Sequence, residues 1–111
     1  MNPQKNKGDK AEREAAALLT EATGFTVERR FGAGAELDKG DLVGIPNTVI
    51  QVADRKDKSS ACLEKPREVE AQRKNANAKY AASMVRWRGG NWRVVLTVEQ
   101  FAEYVKATMP E

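Results

Sequence analysis

Between residues 9 and 23 the apolar positions Ala11, Ala15, Leu18, Leu19 and Ala22 recur at three- and four-residue steps, and Gly24 follows. That period predicts a helix with one apolar stripe and a glycine stop. Residues 25–31 alternate and predict a strand, and Gly32-Ala33-Gly34-Ala35 reads as a flexible loop. Residues 41–45 and 48–53 predict two short strands. Pro46-Asn47 between them is a turn pair, so the two should form a hairpin. Pro66 suits the first turn of a second helix running to about Ala78. Residues 81–88 and 92–97 read as strands around Gly89-Gly90-Asn91. Residues 98–107 close the chain as an amphipathic helix with Phe101, Tyr104 and Val105 on its apolar face. The order α-β-β-β-α-β-β-α implies an α/β fold, a mixed β-sheet flanked by helices. Residues 1–8 read as a mobile N-terminal arm, and residues 9–111 as a single domain.

A chain of 111 residues has room for one modest core. No apolar run is long enough to cross a bilayer, and the polar first ten residues do not read as a secretory signal. Cys62 is the single cysteine and there is no histidine. An internal disulfide, a zinc site of ordinary spacing, and Ser-His-Asp or Cys-His nucleophiles are thereby excluded, and a reducing, cytoplasmic location is expected. Any hydrolysis would rest on carboxylates, lysine and a hard metal ion. The net charge is only +3, but residues 73–93 carry Arg73, Lys74, Lys79, Arg86, Arg88 and Arg93 with no acidic residue among them. Trp87 and Trp92 are interleaved. Such a stretch fits phosphate contact; it fits equally a solvated basic sheet edge whose tryptophans pack inward.

Four segments of the first half belong together. Gly8-Asp9-Lys10-Ala11-Glu12-Arg13-Glu14 opens the first helix, and Gly24-Phe25-Thr26-Val27 the first strand. Gly40-Asp41-Leu42-Val43 opens the second strand, and Ile50-Gln51-Val52-Ala53-Asp54-Arg55-Lys56 lies in and after the third. In this order and spacing they resemble the archaeal-type and phage Holliday junction resolvases. Those proteins are homodimeric nucleases of the restriction-endonuclease-like, PD-(D/E)xK fold. Their pattern is a G-x-x-x-E-R-E helix, a G-F strand, a glycine-rich loop, a D-L-V strand and I-E-x-K. The likeness is close over residues 8–58 and rests on element order beyond.

Mapped residue by residue, the resemblance places the family's helix carboxylate on Glu12, its strand aspartate on Asp41, and its E-x-K pair on Gln51 and Ala53. It implies Mg²⁺ held by Glu12 and Asp41, with a lysine steadying the charge that develops on phosphate, chemistry that suits a hard ion. Gln51 lacks the carboxylate charge and Ala53 lacks the ammonium, so the centre is expected to be degenerate and inactive. Period-two alternation puts residues 51, 53 and 55 on one face, and from there Arg55 would reach toward phosphate. Asp54 and Lys56 spell D-x-K on the opposite face unless a bulge shifts the register. Arg29 and Arg30, beside the glycine-rich loop, together with Arg55, Arg73, Lys74, Arg86 and Arg88, are the expected DNA contacts. Gln72 falls where the family tends to carry a helical glutamine, and helix solvation explains it as well.

Each of these residues also has a plain structural role. Glu12 and Glu14 favour the start of a helix, Asp41 is an acceptable turn residue, and Met84 and Trp87 read as packing. The leading expectation is a homodimer that binds branched or duplex DNA, with no membrane association. The rivals are a protein-interaction module derived from a nuclease, with a host or phage protein partner, and an active endonuclease with a rearranged site.

Overall fold

The apolar residues sort onto two faces of one sheet. A computed structural model describes residues 3–30 and 40–109, with side chains from Gly8 onward. The elements are α1 (Pro3–Thr23), β1 (Glu28–Arg29), β2 (Leu42–Val43), β3 (Thr48–Ala53), α2 (Lys58–Asn75), β4 (Tyr80–Trp87), a 3-10 turn (Arg88–Gly90), β5 (Asn91–Val95) and α3 (Val98–Thr108). The expected order is thus interrupted by one 3-10 turn between the last two strands. The five strands lie in the order β1-β2-β3-β4-β5. All neighbours are antiparallel except β3 and β4, which are parallel in register from Thr48↔Tyr80 to Ala53↔Val85. A parallel pair needs a crossover, and α2 supplies it. The result is an α/β domain with a five-stranded mixed sheet and three helices.

Alternation along β3 and β4 divides the core. Ile50 and Met84 face α1, packing with Ala15, Ala16, Val27 and Leu42. Val49 and Ala81 face the other way against Val69 of α2, and Ala53 and Val85 do the same against Ala61. Alanines at the helix contacts let both helices lie close to the strands, which suits a small core.

Several boundaries differ from expectation, each for a local reason. α1 begins at Pro3, so residues 3–8 of the expected arm belong to the helix. β1 has two residues rather than seven, because the Val27 amide donates to Thr20 Oγ1 at 2.9 Å instead of to a strand. The expected glycine-rich loop lies outside the described residues. β2 stops at Val43 because Gly44 has φ +125° and passes so close to residue 26 that a β-carbon there would meet the Thr26 carbonyl oxygen.

α2 starts eight residues before Pro66, at Lys58, and Asp57 caps it by accepting from the Ser60 amide at 3.0 Å. Pro66 is therefore inside the helix and buried, at the cost of one i→i−4 hydrogen bond. In α3 the inward face is Gln100, with Tyr104 half-buried, while Phe101 is 58% exposed. Gln100 Oε1 accepts from the buried Ala81 amide at 3.1 Å, and Tyr104 stacks on Tyr80 with centroids 4.6 Å apart. Phe101 is thus not part of the packed face. Trp87 is likewise exposed rather than packed, whereas Met84 is buried and Trp92 packs at the rim of the α1 cluster.

Candidate functional site

Asp41 is held between β3 and the end of β1. Its amide donates to the Ile50 carbonyl and its carbonyl accepts from the Arg30 amide, both at 2.8 Å. Its carboxylate Oδ2 accepts from the Val52 amide at 2.8 Å, where a strand carbonyl would otherwise stand. Gly40 makes this approach feasible: at φ +94° a β-carbon would lie 2.7 Å from Val49 Cγ1. The sequence motif Gly40-Asp41 thus places an acidic group within one residue of Gln51, as the hairpin requires.

Residues 51, 53 and 55 all turn toward α2. Gln51 Nε2 donates to Glu68 Oε2 at 3.1 Å, Ala53 packs on Ala61, and Arg55 pairs with Glu64 and lies 3.9 Å from Glu68. Gln51 is 7% exposed and Ala53 is 3% exposed. Glu12 lies on the helix of the opposite layer, where its carboxylate accepts from Arg29 Nε at 3.1 Å, and Asp9 takes the same guanidinium at 2.8 Å. Among the described residues no three acidic or sulfur side chains gather as a metal-binding group. Asp54 pairs with Lys58 at 3.6 Å and lines a small polar pocket with Lys10, Glu14 and Arg86. It therefore stands away from Gln51, and the alternation of the strand is kept.

The expected DNA contacts divide by their partners. Arg86 Nε donates to Glu14 Oε2 at 2.9 Å, Arg73 Nε donates to Glu70 Oε2 at 2.7 Å, and Arg29 and Arg55 are held as above. The Arg86 guanidinium keeps the Glu14 carboxyl below its usual range, and Glu14 raises Arg86 in return. Lys74 lines a groove of mixed charge with Glu70, Glu99 and Glu103, and Arg30 is exposed.

The basic surface with least compensation lies elsewhere. Lys56, Lys58, Trp87, Arg88, Asn91 and Arg93 line an open groove of about 650 Å³, and among the described residues no carboxylate lines it. Among the described residues Lys56, Arg88 and Arg93 form no ion pair, and only Lys58 is shared with Asp54. Lys56 follows β3 and Lys58 opens α2, while Trp87 ends β4 and Arg88 begins the 3-10 turn. Because these strands are parallel, their carboxyl ends meet at one rim. Ligands of open α/β sheets bind outside the carboxyl ends of strands. Sequence reasoning singled out the run at residues 73–93 but missed Lys56, Lys58 and Trp87 as parts of one surface. Parallel pairing, the one signal that joins them, is not written locally.

No protein-family model, curated protein or solved structure matches this chain.

Proposed function

We propose that this chain is a branched-DNA-binding protein of the Holliday junction resolvase type, built on a PD-(D/E)xK scaffold and acting as a homodimer. The observation that carries the reading is the basic groove at the carboxyl rim of β3 and β4, lined among the described residues by four cations and no carboxylate. Neutralising phosphates with such cations supplies sequence-independent affinity. Exposed Trp87 adds an aromatic face at the same rim, suited to the unstacked bases of a branch point. The ordered G-x-x-x-E-R-E, G-F, G-D-L-V and I-Q-x-A segments support the family reading, as does an Asp41 carboxylate lying against β3. Two-fold symmetry of a dimer matches that of a four-way junction.

The test is a salt-dependent titration against four-way junction, duplex and single-stranded DNA. Replacing Lys56, Arg88 and Arg93 together by glutamine should weaken junction binding and flatten the dependence of log K on log salt by about two to three units of slope. Unchanged affinity and slope would overturn the DNA reading. A protein-interaction module is the second reading, favoured by the exposed apolar residues Val94, Val98 and Phe101 on β5 and α3.

A further inference from the structure

The two tryptophans of the β4–β5 hairpin stand on opposite faces of the sheet. Trp92 pairs with Arg86 and packs at the α1 cluster. Trp87 pairs with Asn91, and two residues earlier Val85 pairs with Arg93. Alternation therefore puts Trp87, Asn91 and Arg93 on the face of Val85, which α2 covers through Ala61. α2 runs against the direction of β3, from Ala61 over Ala53 to Val69 over Val49, and it starts at Lys58. Its cover stops short of Trp87, and the indole is left 38% exposed in the groove.

The surroundings of the indole are charged with one sign. Lys56, Arg88 and Arg93 are exposed around it, and Lys58 lines the same groove. Asp57, between the two lysines in sequence, directs its carboxylate to the Ser60 amide at 3.0 Å. The turn at the hairpin tip is braced by the Asn91 side-chain amide, which donates to the Arg88 carbonyl at 2.9 Å. Four cations call for an anion, and an uncovered indole calls for a flat π-system to stack on it. A nucleotide supplies both, but only where its base is unstacked. In a continuous duplex each base is covered by its neighbours, so the phosphates would meet the cations and leave the indole unused.

We propose that this groove takes one unpaired nucleotide of a DNA strand, its base stacked on Trp87 and its flanking phosphates held by Lys56, Lys58, Arg88 and Arg93. The protein thereby selects DNA with unpaired bases over continuous duplex. Selection of this kind rests on the DNA-binding reading and names the part of the DNA that is recognised.

Tryptophan emission of the full chain is followed during titration with a short oligothymidylate, with thymidine monophosphate, and with a fully paired duplex of the same length. The oligothymidylate should quench the emission, and the duplex should bind with little quenching. In Trp87→Ala only the packed Trp92 still emits, and the quenching should disappear. The same change should weaken oligothymidylate binding by about tenfold or more, with a smaller loss on duplex, so that the ratio of the two affinities falls. Trp87→Phe should restore most of the loss, in variants whose circular dichroism spectra match that of the unaltered chain. Equal losses on single strand and duplex, or no loss on either, overturn the stacking role while DNA binding stands. Thymidine monophosphate binding as tightly as the oligothymidylate overturns the assignment to a strand. A chain with no affinity for any DNA overturns the DNA-binding reading, and the stacking with it.

Discussion

Ala53 shows how much a side chain's neighbours matter beside its place in a motif. The family pattern asks for lysine there, yet the position packs on Ala61 and Val85, both fully buried. A lysine would have to push α2 outward or bury its stem and charge. Ala53→Lys is therefore expected to destabilise the fold by about 1 to 3 kcal/mol from overpacking alone, read as a lower urea midpoint. A midpoint at or above that of the unaltered chain would show that α2 is looser over β3 than these contacts imply. Gln51 is different in kind. Its amide has a carboxylate partner on α2, so its polarity is used even though its charge is gone. That partner was invisible in the sequence, because Glu68 is seventeen residues away and falls in a segment where many helical positions are polar.

Among the elements, α2 and α3 departed most from the periodicity. Proline was read as a helix start, but Asp57 with Ser60 formed the cap and carried the helix through Pro66. Local capping chemistry outweighed the proline, and burial of Pro66 offsets its lost hydrogen bond. In α3 the apolar stripe suggested Phe101 as an anchor, whereas Gln100 became one by satisfying the Ala81 amide that begins the buried part of β4. Gln100→Ala leaves that amide without a partner in the core. Thermal or urea unfolding should register a loss of about 1 to 3 kcal/mol, and a neutral result would mean that another acceptor reaches Ala81.

For the molecule as a whole, Arg86 and Glu14 tie the carboxyl end of β4 to the first helix across 72 residues of chain. The Arg86 guanidinium holds the Glu14 carboxyl below its usual value of 4.5. A carboxylate with a depressed folded pKa adds stability that is fully present above the unfolded value and is lost as pH falls through the folded one. Acid unfolding should accordingly steepen below about pH 4.5, and Glu14→Gln should flatten that limb while leaving the neutral-pH profile nearly parallel. An identical acid limb in the variant would place the pH sensitivity on other carboxylates. No helix among the described residues is long and apolar enough to cross a membrane, in line with the absence of an apolar run in the chain.

The strand β3, the hairpin that presents Asp41, the alternation of residues 51, 53 and 55, and the closing helix were legible because each depends on residues close together in the chain. Periods of two and 3.6, a Pro-Asn turn and a glycine before an aspartate are local signals with local physical causes. The parallel pairing of β3 with β4, the meeting of Lys56 with Trp87 and Arg88 at one rim, and the seating of Glu68 over Gln51 were decided by the tertiary structure. They follow from how a crossover helix packs its small residues onto a sheet, and packing joins residues whose separation along the chain carries no periodic mark.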